Sequence, residues 1–331
     1  MKDAASAILV AAVEGLELTS DEDGFFRRES PAGVTLFRRN IPQQDFSLVA
    51  RLNHKLQETR PSGDPPLIIA VDQEGGRVSR FPSGFPNRGP AMSLEDGRFD
   101  APALHSIGEY GQQVGAALGR VGVNVNFAPV LDILTEPTNY AIGDRCFGVT
   151  AEAVWLRAEA FLIGLQSQRI LGCLKHFPGQ GHATVDTHHA SAPIDVNLQT
   201  LIGRELVPFK MLVQKSPMVM ISHSIFSVLS DREASRSRVV IMDWLRTRLG
   251  FQGVVVSDDM NMGALPQDII EWKAALIDAV AAGCDALLVC QGLDRCVSAL
   301  EGLRVESRKS TAFARRLEDA AKRVTALRHS L

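Results

Sequence analysis

The chain has 331 residues, 45% hydrophobic and 22% charged, enough to bury a substantial core in one large domain or two ordinary ones. Its 35 basic against 38 acidic residues leave a formal charge of -3, which excludes a chain-wide electrostatic footprint for nucleic acid or anionic lipid. A small neutral ligand is the simpler expectation.

The opening "MKDAASAILVAAVEGLELTS" places Lys2 before an apolar run, as a secretion signal would. Asp3 interrupts the basic region, however, and Glu14 and Glu17 follow without a convincing small-residue cleavage site. No apolar run reaches the ~20 residues of a membrane helix. Cys146, Cys173, Cys284, Cys290 and Cys296 are an odd number without a dense framework, and three lie in or beside apolar runs. Reduced, mostly buried thiols in a cytoplasmic protein are expected.

Eight short runs rich in Val, Ile and Leu follow one another along the chain, at 6–13, 33–37, 66–72, 123–132, 171–177, 217–223, 253–259 and 285–290. Amphipathic stretches separate them, among them "ALHSIGEYGQQVGAALGRVG" and "AEAVWLRAEAFLIGLQSQRI", in which apolar residues return every three or four positions. Continuous apolar strands alternating with helices are the pattern of a parallel sheet buried on both faces. Eight such units predict a single (β/α)8 barrel over 1–331, with a C-terminal helix at about 305–330. A doubly wound sheet is the alternative, and in both folds ligands bind at the carboxyl ends of the strands.

Those ends carry Asp72, Asp132, Lys175 with His176, His223, and Asp258 with Asp259. Packing does not explain apolar runs that repeatedly end in charge, because burying an unpaired charge costs several kcal/mol. The polar groups are expected to converge on one rim. In "VDQEGGRVSRF", Asp72 precedes a Gly-Gly turn that presents Arg77 and Arg80, a pairing suited to holding a polyol through its hydroxyls. In "VVVSDDMNMGAL", strand alternation lets only one of Asp258 and Asp259 face the barrel mouth. The other is expected to cap a helix or anchor the loop.

"KHFPGQGHATVDTHHA" concentrates Lys175, His176, His182, Asp186, His188 and His189 in a segment too rich in Gly and Pro for strand or helix. His188 lies two residues after Asp186, close enough for the carboxylate to orient and charge-stabilise the imidazole as a mobile acid/base. A zinc site built from these histidines lacks the compact ligand spacing of metallohydrolases. No Gly-Lys-Ser/Thr follows the glycines, so a phosphate loop is excluded. A solvated histidine cluster is the remaining structural reading.

In order and rough spacing, "DQEGGRVSRF", "FAPVLDI", "IGDRCFG", "KHFPGQGHATVDTHHA", "VMISHSIF", "VVVSDDMNMGAL" and "AAGCDALLVC" resemble glycoside hydrolase family 3 catalytic domains. The resemblance is greatest to that family's bacterial β-N-acetylglucosaminidases of cell-wall recycling, and it spans about residues 6 to 295. It implies a retaining mechanism without a cofactor or metal, with Asp258 as nucleophile and Asp186 with His188 as the acid/base dyad. It also implies sugar binding by Asp72, Arg80, Arg145, Lys175 and His176, with His223 lining the same pocket. The substrate it implies is an N-acetylglucosaminyl muropeptide handled by a monomer, with no nucleic acid or membrane partner. Only about forty residues follow the last strand, so the second domain that completes many β-glucosidase sites of the family is not expected. The family pattern carries a second histidine where this chain has Gln180, which hydrogen-bonds but carries no proton; the nearest substitute is His182. Phosphorolysis and a binding-only barrel are the alternatives to hydrolysis.

Overall fold

The computed structural model describes residues 3–82, 84–94, 99–186, 190 and 192–331. Eight strands, β1 (Leu9–Ala11), β2 (Gly33–Leu36), β3 (Ile68–Val71), β4 (Val125–Asn126), β5 (Leu171–Phe177), β6 (Met218–Ile221), β7 (Val254–Asp259) and β8 (Ala286–Leu288), form a closed barrel. Every neighbouring pair is parallel, and the barrel shuts where Leu9 and Val10 of β1 face Leu287 and Leu288 of β8. All eight strands fall within the expected runs.

Side chains alternate across each strand, and here both faces are apolar. Val10, Ile68, Ala70, Val125, Met218, Met220, Val254 and Val256 fill the barrel interior. Leu9, Val34, Ile69, Val71, Leu174, Val219, Ile221 and Val255 instead join the larger core beneath the helices. This double burial makes each strand read as a continuous apolar run.

Several of the helices start where the sequence provides caps. In α1 (Ser20–Glu29), Thr19 and Glu22 form a reciprocal capping box, and α2 (Ser47–Thr59) packs beside it. Asp100 caps α3 (Ala101–Arg120) and Thr150 caps α4 (Ala151–Ser167). These two helices approach closely at Gly164, where a Cβ would stand 2.2 Å from the Gly108 carbonyl oxygen. The ring continues through α5 (the helical run 198–212), α6 (Val239–Arg248), α7 (Ile269–Ala282), α8 (Gly292–Lys309) and α9 (Thr311–Arg328).

Two expected boundaries move. The helix expected at about 305–330 is divided between α8 and α9, because Ser310 adopts an extended conformation and its side chain accepts from the Phe313 amide. The strand expected at 123–132 keeps ladder pairing only at Val125–Asn126, and an isolated bridge joins Val130 to Lys175 beyond it. Among the described residues, no helix is long and apolar enough to cross a membrane.

Candidate active site

The carboxyl ends of the strands surround a cavity of about 430 Å³. Phe127, Met220 and Leu288 contribute apolar surface to it, while charged groups enter from several strand ends.

At the end of β3, Asp72 receives Lys175 Nζ at 2.7 Å on one carboxylate oxygen and Arg80 Nη2 at 3.2 Å on the other. Two residues on, Glu74 is held by Arg145 through paired bonds of 2.9 Å from Nε and Nη2, and Lys175 Nζ lies 2.6 Å from its Oε1. Burial pushes both carboxyls up, but the facing cations outweigh it. Asp72 is held well below the ordinary carboxylate range by Lys175 and Arg80, and Glu74 falls to about 2 through Arg145 and Lys175. Lys175, only 1% exposed, is pushed down by burial yet ends above its usual value because Asp72 and Glu74 face it. The cluster is therefore fully ionised at neutrality.

His176 forms the next wall. Its Nδ1–H donates to Asp132 Oδ2 at 2.6 Å, and Arg145 Nη2 lies 3.4 Å from its Nε2. Asp132 is completely buried, and its other oxygen accepts the Gln180 amide at 2.8 Å. It supports the wall from behind, in contrast to the expectation that every strand-end charge reaches the rim. The Lys175–His176 and Phe177–Pro178 peptide bonds are cis.

Asp258 and Asp259 both border the cavity, contrary to strict alternation. β7 pairs Val256 with Ala286 and Asp259 with Leu288, so three steps on one strand match two on its neighbour, and this bulge breaks the period of two. Asp259 Oδ1 accepts the Asn261 and Cys290 amides, which is the loop anchor expected of one member of the pair. Burial pushes its carboxyl up to about 6, and the charge of Asp258 adds to the rise.

His223 does not line the cavity, which corrects the sequence expectation. It is completely buried, with Nδ1 facing the Ser235 hydroxyl at 2.7 Å and Nε2 donating to the Asp259 carbonyl at 3.2 Å. Burial lowers its pKa, so it acts as a neutral prop behind the strand end. His182 is likewise directed elsewhere, its Nδ1 lying 3.0 Å from Thr135 Oγ1, and it is not a cavity-lining replacement for the missing histidine. Asp186 borders the cavity. His188, with Thr187, His189 and Ser191, lies outside the described residues.

The structure thus brings Asp72, Arg80, Arg145, Lys175, His176, Asp186 and Asp258 to one cavity. The sequence reading missed Glu74, although it sits two positions beyond Asp72, the spacing that keeps side chains on one face of an extended chain. Among the described residues no group of three or more His, Cys, Asp and Glu has the arrangement to hold a metal ion. All five cysteines are buried and unpaired with one another.

An ionised carboxylate beside fixed cations suits a neutral, hydroxyl-rich ligand, and three further carboxylates, Asp186, Asp258 and Asp259, border the same barrel-end cavity. Such a fold and site define a barrel glycoside hydrolase. Residues 13–327 match the glycosyl hydrolase family 3 N-terminal domain, and the chain belongs to that family. It is 35% identical over 299 residues to a β-hexosaminidase of Tolumonas auensis, covering 89% of this chain and 86% of that one. A β-hexosaminidase of Xanthomonas oryzae is 36% identical over 290 residues, covering 86% and 83%. Among solved structures, a family 3 β-N-acetylglucosaminidase from Paenibacillus superposes with a TM-score of 0.90 at 32% identity, covering all of this chain and 62% of that one. NagZ from Neisseria gonorrhoeae, solved with N-trifluoroacetyl-D-glucosamine, gives 0.79 at 29%, covering 97% and 93%.

Proposed function

We propose that this chain is a retaining exo-β-N-acetylglucosaminidase that removes terminal N-acetylglucosamine from peptidoglycan-derived fragments. The observation that carries the reading is the meeting of Asp258 and Asp186 with the Asp72–Lys175 cluster around one cavity. The β-hexosaminidase relatives support the choice of an acetamido sugar.

In this reading Asp72, Lys175, Arg80 and Arg145 hold the hydroxyls of the terminal sugar. Asp258 attacks the anomeric carbon, forming a glycosyl ester as the bond to the leaving oxygen breaks. His188, oriented by Asp186, gives its proton to that oxygen. It then takes a proton from water as the water attacks the anomeric carbon and releases Asp258. Histidine suits both steps because it exchanges protons near neutrality. The enzyme acts as a cytoplasmic monomer without a cofactor.

The test is release of 4-nitrophenol from its β-N-acetylglucosaminide. Asp258→Ala is expected to lower kcat by about 10³-fold or more, and His188→Ala to lower it strongly as well. Unchanged turnover in folded Asp258→Ala would show the assignment to be wrong. Sugar 1-phosphate formed in added phosphate would change the acceptor from water to phosphate.

A further inference from the structure

Gln180 stands in the loop after β5, in the cavity wall, and is 5% exposed. Its backbone is fixed on both sides, by its own N–H, which donates to Asp132 Oδ1 at 2.8 Å, and by Asn139 Nδ2, which donates to its carbonyl at 2.8 Å. The side chain is fixed as well. Ser222 Oγ donates to Gln180 Oε1 at 2.8 Å, and Ser224 Oγ donates to the same oxygen at 3.2 Å.

The direction of these bonds determines which end of the amide faces the cavity. Ser222 Oγ already accepts the Ser224 amide at 2.9 Å, and its own proton is directed at Gln180. The structure turns the amide oxygen toward these two hydroxyls, and it accepts from both. A flipped amide would leave both hydroxyl protons without that acceptor. The opposite end is the amide nitrogen. It makes no hydrogen bond to a described residue, and it is not among the polar atoms sealed from solvent without a partner. Its N–H groups open onto the cavity.

We propose that the Gln180 amide nitrogen is a pre-oriented donor that binds an uncharged acceptor oxygen of the sugar, making Gln180 a specificity-determining residue. This rests on the glycosidase reading given above. The neighbouring cations are largely committed to Asp72 and Glu74, whereas this donor is neutral and the serine clamp aims it before substrate arrives. Two oxygens have the right chemistry, the acetamido carbonyl and a ring hydroxyl.

The experiment compares wild type, Gln180→Glu and Gln180→Leu on 4-nitrophenyl β-N-acetylglucosaminide and β-glucoside, with thermal unfolding of each variant to verify folding. Glu keeps an acceptor for Ser222 and Ser224 but replaces the donor, and Leu removes both. Both variants are expected to raise KM about tenfold while kcat stays within about twofold. A rise confined to the acetamido substrate assigns the donor to the acetamido carbonyl, and a rise on both assigns it to a ring hydroxyl. Unchanged KM in both folded variants overturns the proposal, as does a fall in kcat alone, which assigns the amide to the loop carrying Asp186. If wild type hydrolyses neither substrate, the glycosidase reading fails by itself. Calorimetric binding of N-acetylglucosamine then decides the donor role: about tenfold weaker binding by Gln180→Glu supports it, while equal or undetectable binding by both proteins overturns it.

Discussion

Lys175 shares its ammonium between two carboxylates, and Glu74 receives both Lys175 and Arg145, so no charge in this cluster is independent of the rest. Removing one partner from such a buried set exposes the others to uncompensated burial. Glu74→Gln is expected to lower stability at neutral pH by about 3 kcal/mol and to change its acid dependence. The folded-state pKa of Glu74 is depressed from 4.5 to about 2. Its contribution is therefore present above 4.5 and lost as pH falls toward 2, about 3 kcal/mol over that window. Asp259 has the opposite sign. Raised from 3.8 to about 6, it favours the fold below 3.8 and loses that contribution as pH rises through 6. Urea unfolding of wild type and Glu74→Gln at pH 7, 4.5 and 3 tests the linkage. The variant should lose less stability between pH 4.5 and 3 than wild type does, and parallel losses would contradict it.

The loop after β5 shows how one element converts backbone geometry into a site. Its turn is fastened by Asp132 and Asn139 at Gln180, and by the amides of Thr135 and Glu136, which both donate to the Gly181 carbonyl at 3.3 Å. A Cβ on Gly181 would lie 1.7 Å from the Ile133 carbonyl oxygen, a backbone atom that has no room to move. Gly181→Ala is therefore expected to displace the turn and with it Gln180 and Asp186. Such a shift should lower kcat/KM by about 100-fold. Steady-state kinetics with a melting curve test this, and a folded variant with unaltered kcat/KM would refute it. Much of this element was legible in its residues, because Gly, Pro and clustered titratable groups exclude regular structure. The eight strands were legible for the complementary reason, since parallel strands buried on both faces appear as apolar runs. Depth was not legible. Asp132 and His223 end strands as Asp72 and Lys175 do, yet they are completely buried and stand behind the cavity that Asp72 and Lys175 line. Nor could alternation reveal the bulge that brings both Asp258 and Asp259 to the cavity, because a bulge is a property of strand pairing.

At the scale of the whole molecule, the barrel keeps its chemistry at one end and ties its chain together at the other. Asp285, immediately before β8 and completely buried, accepts Arg246, Arg316 at 2.8 Å and Arg323 at 3.4 Å, and it also accepts the Val255 amide at 3.0 Å. One carboxylate thereby joins α6, α9 and the neighbouring strand. Arg328, near the end of α9, completes the closure by donating to the Pro65 and Pro66 carbonyls at 2.6 and 2.8 Å, 263 and 262 residues away in sequence. Burial lowers its guanidinium only to about 10, so it remains charged at neutrality. Both groups lie away from the residues lining the cavity. Asp285→Asn is expected to leave the arginines undercompensated and to destabilise the fold by about 3–5 kcal/mol. KM and kcat should remain near wild type well below the melting transition, because the strand ends that hold the site are set by the ladder. Thermal unfolding combined with kinetics on the acetamido substrate measures both quantities. A rise in KM accompanying the loss of stability would mean that the two ends of the barrel are coupled, and that the amino-end cluster helps to position Asp258 through β7.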